Sequence, residues 1–156
     1  MVALVYGCLM KIFIATDHGA LEQKNELVKY LSTNGHEVID LGTHTQDSCH
    51  YPEYATSLSK EVIASKCLGI LLCGSGIGVS VVANKYKGIT AALCRSVEDA
   101  RLSREHNNAN VICFGGRVSP VEEMKLMVTT FLETKFEGGR HEVRTQMFAN
   151  LGTELI

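Results

Sequence analysis

The feature that most constrains this chain is an almost unbroken apolar run, Leu68-Gly-Ile-Leu-Leu-Cys73, ending in alternate glycines at Gly74, Gly76 and Gly78. A strand that is apolar on both faces is one covered by helices above and below, the situation of a central parallel strand. The rest of the chain supplies partners. Lys11–Thr16, Glu37–Leu41, Gly88–Cys94 and Asn110–Phe114 read as further strands. Between them lie apolar residues at helical spacing: Ala20, Leu27, Val28 and Leu31, then a helix opened by Pro52, one starting in or after the glycines, and one over 97–107. Pro120 opens a helix with Val121, Met124, Val128 and Phe131 on one side, and a short helical segment over 146–151 closes the chain. Strand and helix alternating with short connections predict an α/β fold, a Rossmann-like three-layer sandwich around a five-stranded parallel sheet.

Length and composition narrow the class. At 156 residues the chain suits one domain with a sizeable core, here 11–156, preceded by an apolar extension over 1–10 that is too short for a membrane span or a secretory signal. A hydrophobic content of 46% and a net charge of −2 argue against disorder, and neither a nucleic acid nor a membrane is the expected partner. The six cysteines include Cys73, Cys94 and Cys113 in or beside buried strands, and no pair shows Cys-x-x-Cys spacing. Reduced thiols in a cytoplasmic protein fit this pattern better than a disulfide scaffold or a zinc site.

In parallel sheets of this kind ligands collect beyond the carboxyl ends of the strands, where loops and helix amino termini converge. Asp17, His18, Cys73, the Gly74–Gly78 loop and Arg117 all follow strands and are expected on that rim. The glycine loop permits close backbone approach to an anion, or is simply a tight strand-to-helix turn. It lacks the lysine of a P-loop and departs from the dinucleotide fingerprint, so no nucleotide cofactor is expected. Cys73 is either inert core or, beside those amides, a reactive thiol able to attack or to move a proton. Asp17 caps the following helix or offers a carboxylate, and His18 suits proton exchange or a phosphate contact. His106 ends a helix, where an imidazole interacts well with the dipole. Arg117, Arg140 and Arg144 carry the planar fork that matches phosphate oxygens, and the late position of the last two suggests a neighbouring subunit's site.

Taken together, Asp17-His18, Val38–Thr43, Tyr51-Pro52, Cys73–Gly78, Ala83-Asn84-Lys85, Ala91–Cys94, Arg104–Asn107 and Phe136–His141 resemble the type B ribose-5-phosphate isomerase family, shared with galactose-6-phosphate isomerase subunits. The resemblance implies interconversion of D-ribose 5-phosphate and D-ribulose 5-phosphate in the pentose phosphate pathway, through an enediolate and without metal or cofactor. It implies Cys73 as the base, Ser75 with the Gly74, Gly76 and Gly78 amides as the anion-stabilising region, and His106, assisted by Asp17, as the group that opens the furanose ring. Asn107 is implied for sugar hydroxyls, and His18, Arg117, Arg140 and Arg144 for the phosphate. Tyr51 and Asn84 are assigned to the surrounding substrate region. Homodimers, some pairing into tetramers, with pockets shared by two subunits, come with the family. The chain departs from the family pattern at Gly19-Ala20, where Ala-Gly is common, at His50 and at Arg95-Ser96. A hexose 6-phosphate isomerase and a non-catalytic phosphate- or nucleotide-binding module are the alternatives.

Overall fold

The computed structural model describes residues 8–156, so most of the apolar amino-terminal extension lies outside the described residues. The chain enters the sheet where the Met10 carbonyl accepts the Glu37 N–H at 2.9 Å. Five parallel strands follow: β1 (Lys11–Thr16), β2 (Glu37–Asp40), β3 (Leu68–Cys73), β4 (Ala91–Leu93) and β5 (Val111–Gly115), in the spatial order β2-β1-β3-β5-β4. Continuity of apolar character tracks position in the sheet. The inner strands β1, β3 and β5 are buried along nearly their whole length, whereas the edges β2 and β4 are half-buried.

Helices cover both faces. On one side α1 (Leu21–Thr33), α4 (Val97–Glu105) and α5 (Val121–Glu133) pack Leu27, Leu31, Met124, Val128 and Phe131 against Ile12, Ile14, Ile70, Leu72 and Ile112. On the other, α2 (Tyr51–Ser65) and α3 (Ile77–Ala83) bring Ala55, Leu58, Val62 and Val79 onto Phe13, Leu71 and Cys113. Each such side chain, taken fully from water, contributes about 1.5–3 kcal/mol. One charge is fully buried with them: Lys24 donates to Asp40 Oδ2 at 2.7 Å and to the Thr43 carbonyl at 2.8 Å, anchoring the loop after β2.

Two expectations are corrected. The fourth strand is shorter than Gly88–Cys94, because Gly88 adopts φ +92° and Ile89 closes a turn onto Tyr86. The last helix, α6, is Arg140–Phe148 and starts six residues before the predicted segment. Gly138 and Gly139, at φ +70° and +56°, reverse the chain into it, and of its residues only His141 is buried. Helical periodicity had no apolar stripe to report there.

Candidate active site

The order of strands reverses between β1 and β3, and the loops leaving these two strands form one rim. After β1, Asp17 is buried and its Oδ1 accepts the Gly19 N–H at 2.8 Å, capping a single 3-10 turn over His18–Ala20. That turn lies against the glycine loop, since a β-carbon on Gly19 would sit 2.9 Å from Gly74 N. His18 Nδ1 accepts the Cys49 N–H at 3.3 Å, which puts the ring proton on Nε2 and leaves it as a donor.

After β3, the chain turns through Gly76 at φ +76°, a conformation suited to glycine, and enters α3. The turn folds the Gly76 N–H back onto Cys73 Sγ at 3.1 Å. Cys73 is only 5% exposed and sits at the very edge of the core, with a polar donor on its sulfur. The Gly76 amide is thereby held against the sulfur as a fixed donor. Two other cysteines lie deeper among the strands: burial, reinforced by Asp99, pushes the Cys94 thiol up to about 12, and burial raises Cys113 well above its ordinary value. Those two thiols stay protonated. Ser75 Oγ accepts the Ile77 N–H at 3.2 Å.

Three neighbours complete this rim. The Arg117 guanidinium lies over Gly74, where an added β-carbon would be 3.1 Å from Nη1, and the Tyr51 ring lies over Gly78, where it would be 2.7 Å from the ring. The Arg117 N–H donates to the Gly74 carbonyl at 3.0 Å and locks the β5 exit onto the β3 exit. Asp17, His18, Tyr51, Cys73, Ser75, Gly74, Gly76, Gly78 and Arg117 are therefore neighbours.

The remaining sequence-predicted residues are at the other end of the sheet. Helices α3, α4 and α5 run back against the strands, so His106 and Asn107, following α4, lie beside the amino ends of β4 and β5. The segment after α5 crosses this lower rim. Glu137 N–H donates to the Glu105 carbonyl at 3.0 Å, and α6 brings Arg140, His141 and Arg144 alongside. Asn84 is also here, with its amide spent on β4: Nδ2 donates to the Ala91 carbonyl and Oδ1 accepts the Ala91 N–H, both at 2.8 Å. It pins the entry to β4 rather than facing the glycine loop of its own chain.

Two residues of the Phe136–His141 motif that were given no role from sequence join the lower cluster. His141 is 4% exposed, and its ring stacks on His106 with centroids 4.1 Å apart and planes 11° from parallel. Glu137 Oε2 lies 3.8 Å from His106 Nε2 and 3.9 Å from His141 Nε2. Burial, helped by His106, Arg140 and Arg144, lowers the pKa of His141 against the opposing pull of Glu137. Among the described residues these form the one group of three side chains whose potential metal-ligating atoms all lie within 4.8 Å of one another. Near-parallel rings direct their lone pairs side by side, however, and Arg140 Nε already donates to His141 Nε2 at 3.4 Å. The trio is built as a stack rather than a chelate. The Gly-Gly-Arg-His run and its spacing to Arg144 were the available signal for His141.

An open parallel sheet with a thiol and an amide-rich loop at its switch point, arginines at both rims and an imidazole pair below defines a doubly wound α/β protein with a candidate small-molecule site at its strand ends. Residues 12–148 match the model of the ribose/galactose isomerase family. The chain belongs to that family. It is 41% identical to ribose-5-phosphate isomerase B of Escherichia coli over 139 residues, covering 88% of this chain and 93% of that protein. It is likewise 41% identical to the galactose-6-phosphate isomerase subunit LacB of Clostridium acetobutylicum, over 82% of this chain and 75% of that one. The structure is similar to the ribose 5-phosphate isomerase of Thermotoga maritima, with a TM-score of 0.88 and 45% identity over 90% of this chain and 97% of the other. It is also similar to ribose-5-phosphate isomerase B of Mycoplasma genitalium with bound ribulose-5-phosphate, with a TM-score of 0.86 and 41% identity over 89% and 93%.

Proposed function

We propose that this chain is an aldose-ketose isomerase that interconverts D-ribose 5-phosphate and D-ribulose 5-phosphate, with Cys73 as the proton-transferring base. The observation that carries the proposal is the buried sulfur at the end of β3 accepting the Gly76 N–H at 3.1 Å, beside a loop whose amides suit a developing oxyanion. The thiolate takes the C2 proton of the open-chain aldose, and charge develops on O1 of the enediolate. Ser75 and the amides of Gly74 and Gly78 stabilise it, while the Gly76 N–H stays on the sulfur. The same thiol returns the proton at C1, and the O2 hydroxyl proton ends on O1, so nothing is gained or lost. No step calls on a metal or cofactor.

His106 opens the furanose ring with help from Asp17, and Asn107 holds sugar hydroxyls. His18 and Arg117 bind the phosphate together with Arg140 and Arg144, while Tyr51 borders the sugar. Because one chain carries these groups on opposite rims, the proposal requires a second copy to supply His106, Asn107, Arg140 and Arg144. The apolar surface supports such a pair. Ile77 and Val81 are 50% and 53% exposed on α3 beside the glycine loop, and Val143 and Met147 are 64% and 78% exposed on α6 at the other rim. In a two-fold dimer each of these patches meets the other across the axis, and two such dimers can pair further. Under this reading 11–156 is one isomerase domain and 1–10 an extension. Its setting is cytoplasmic pentose phosphate metabolism, which suits six unpaired cysteines, and among the described residues no helix is long and apolar enough to cross a membrane.

A hexose 6-phosphate substrate is the second reading, favoured by the similarity to a galactose-6-phosphate isomerase subunit. Turnover of pentose and hexose phosphates with a chelator present tests both. Ribose 5-phosphate conversion that survives chelation is the expected result. Efficient hexose 6-phosphate conversion without pentose turnover transfers the assignment to the second reading, and no turnover of either overturns both.

A further inference from the structure

We propose that His141 is a positioning residue for ring opening: its buried ring braces the imidazole of His106 and ties it to the phosphate-binding Arg140. This inference rests on the reading of His106 as the ring-opening group. A histidine at a helix end, half in solvent, has a broad χ2 distribution and no fixed plane of its own. His106 is such a residue, with its side chain 35% exposed at the end of α4. Here one of its faces is covered by the His141 ring at 4.1 Å.

His141 is in turn immobilised from several directions. It is 4% exposed at the start of α6, and its amide donates to the Gly138 carbonyl at 3.0 Å. Its Nε2 accepts the Arg140 Nε–H at 3.4 Å, which fixes the tautomer protonated at Nδ1. Burial and the neighbouring cations keep the ring neutral, so two imidazolium charges are not stacked on one another. The glycine pair that reverses the chain into α6 and the Glu137–Glu105 backbone bond deliver this brace onto the end of α4. Arg140 therefore has two neighbours in the reaction: the phosphate it would hold and the ring that orients His106.

The test separates ring opening from proton transfer. D-Erythrose 4-phosphate carries its phosphate on the oxygen that would close a furanose, so its isomerisation needs no ring-opening step, whereas ribose 5-phosphate needs one. For His141→Ala, kcat/KM on ribose 5-phosphate is expected to fall roughly 10- to 30-fold, mainly in kcat, and on erythrose 4-phosphate by less than about threefold, the loss typical of a misoriented acid-base group. His141→Phe keeps a flat stacking ring and is expected to recover most of the lost ribose 5-phosphate activity. Equal losses on both substrates, or no loss on either, overturn the positioning role, and activity on erythrose 4-phosphate itself reports that the variant is folded. His106→Asn is the control. If it too fails to distinguish the substrates, the ring-opening reading of His106 falls; if it distinguishes them and His141→Ala does not, only the role of His141 falls.

Discussion

Mixing two inactive variants tests whether the site is shared between copies, and the expected yield follows from the geometry. Cys73 closes β3 at one rim, and His106 follows α4 at the other. Strands of five or six residues at about 3.3 Å per residue hold the rims roughly 17–20 Å apart, farther than a cysteine and a histidine side chain reach together. One site then combines Cys73 of one copy with His106 of the other. Cys73→Ala and His106→Asn homodimers each contain two broken sites. In a mixed dimer one site collects both lesions and the other collects none. With random exchange of equal amounts, half the dimers are mixed, and about one quarter of all sites are intact in a two-fold dimer. Ribose 5-phosphate turnover should therefore return to about a quarter of the parent value, with chain exchange verified by mass spectrometry. The reciprocal mixture is as informative: parent protein exchanged with the double variant should keep about half its activity, because neither site of a mixed dimer is whole. Verified mixed dimers without recovered activity would refute the shared site, as would parent protein that keeps all its activity.

Two further outcomes follow from the same structure. For Gly76→Ala the left-handed backbone costs about 1–2 kcal/mol, and a β-carbon 2.6 Å from Leu93 Cδ1 and 2.7 Å from the Phe114 carbonyl carbon adds about 1–3 kcal/mol. Melting should drop by roughly 5–15 °C, and turnover should fall by more than about 100-fold as the donor to Cys73 Sγ is displaced; a variant with parental Tm and rate contradicts the assignment. For His141, burial holds the native pKa below its ordinary 6.5. The unfolded chain then binds more protons below that pH, so stability should decline as pH falls through 6.5 toward the native pKa and level off beneath it. Denaturant titrations between pH 8 and 5 should show this slope weakened in His141→Phe, and an unchanged slope would exclude His141 as its source.

Much of the upper rim was legible because its residues are read by local rules. Cys73 and its glycines adjoin an apolar strand, Asp17 and His18 follow another, and a parallel sheet sends both exits to one side. The strand boundaries of β1 and β3 were readable for the same reason, since a strand covered on both faces has few polar residues to blur its ends. Edge strand β4 was not, because a half-buried strand depends on where neighbouring turns such as Tyr86–Ile89 release it. Helix α6 was misplaced because it is held by one buried histidine and two glycines rather than by an apolar stripe. Asn84 sits among family motif residues, yet its amide closes onto Ala91, a contact that depends on α3 returning along β3.

From its residues alone this chain determined a parallel α/β fold, a thiol followed by an anion-friendly loop, and a set of arginines suited to phosphate. Those properties reside in short stretches, where propensity, burial pattern and side-chain chemistry act within a few positions. Tertiary structure decided the division of the candidate groups between the two ends of the sheet and the stacking of His141 on His106. Both follow from the direction in which helices return along the strands and from where the tail crosses beneath them, and those contacts join residues far apart in the chain.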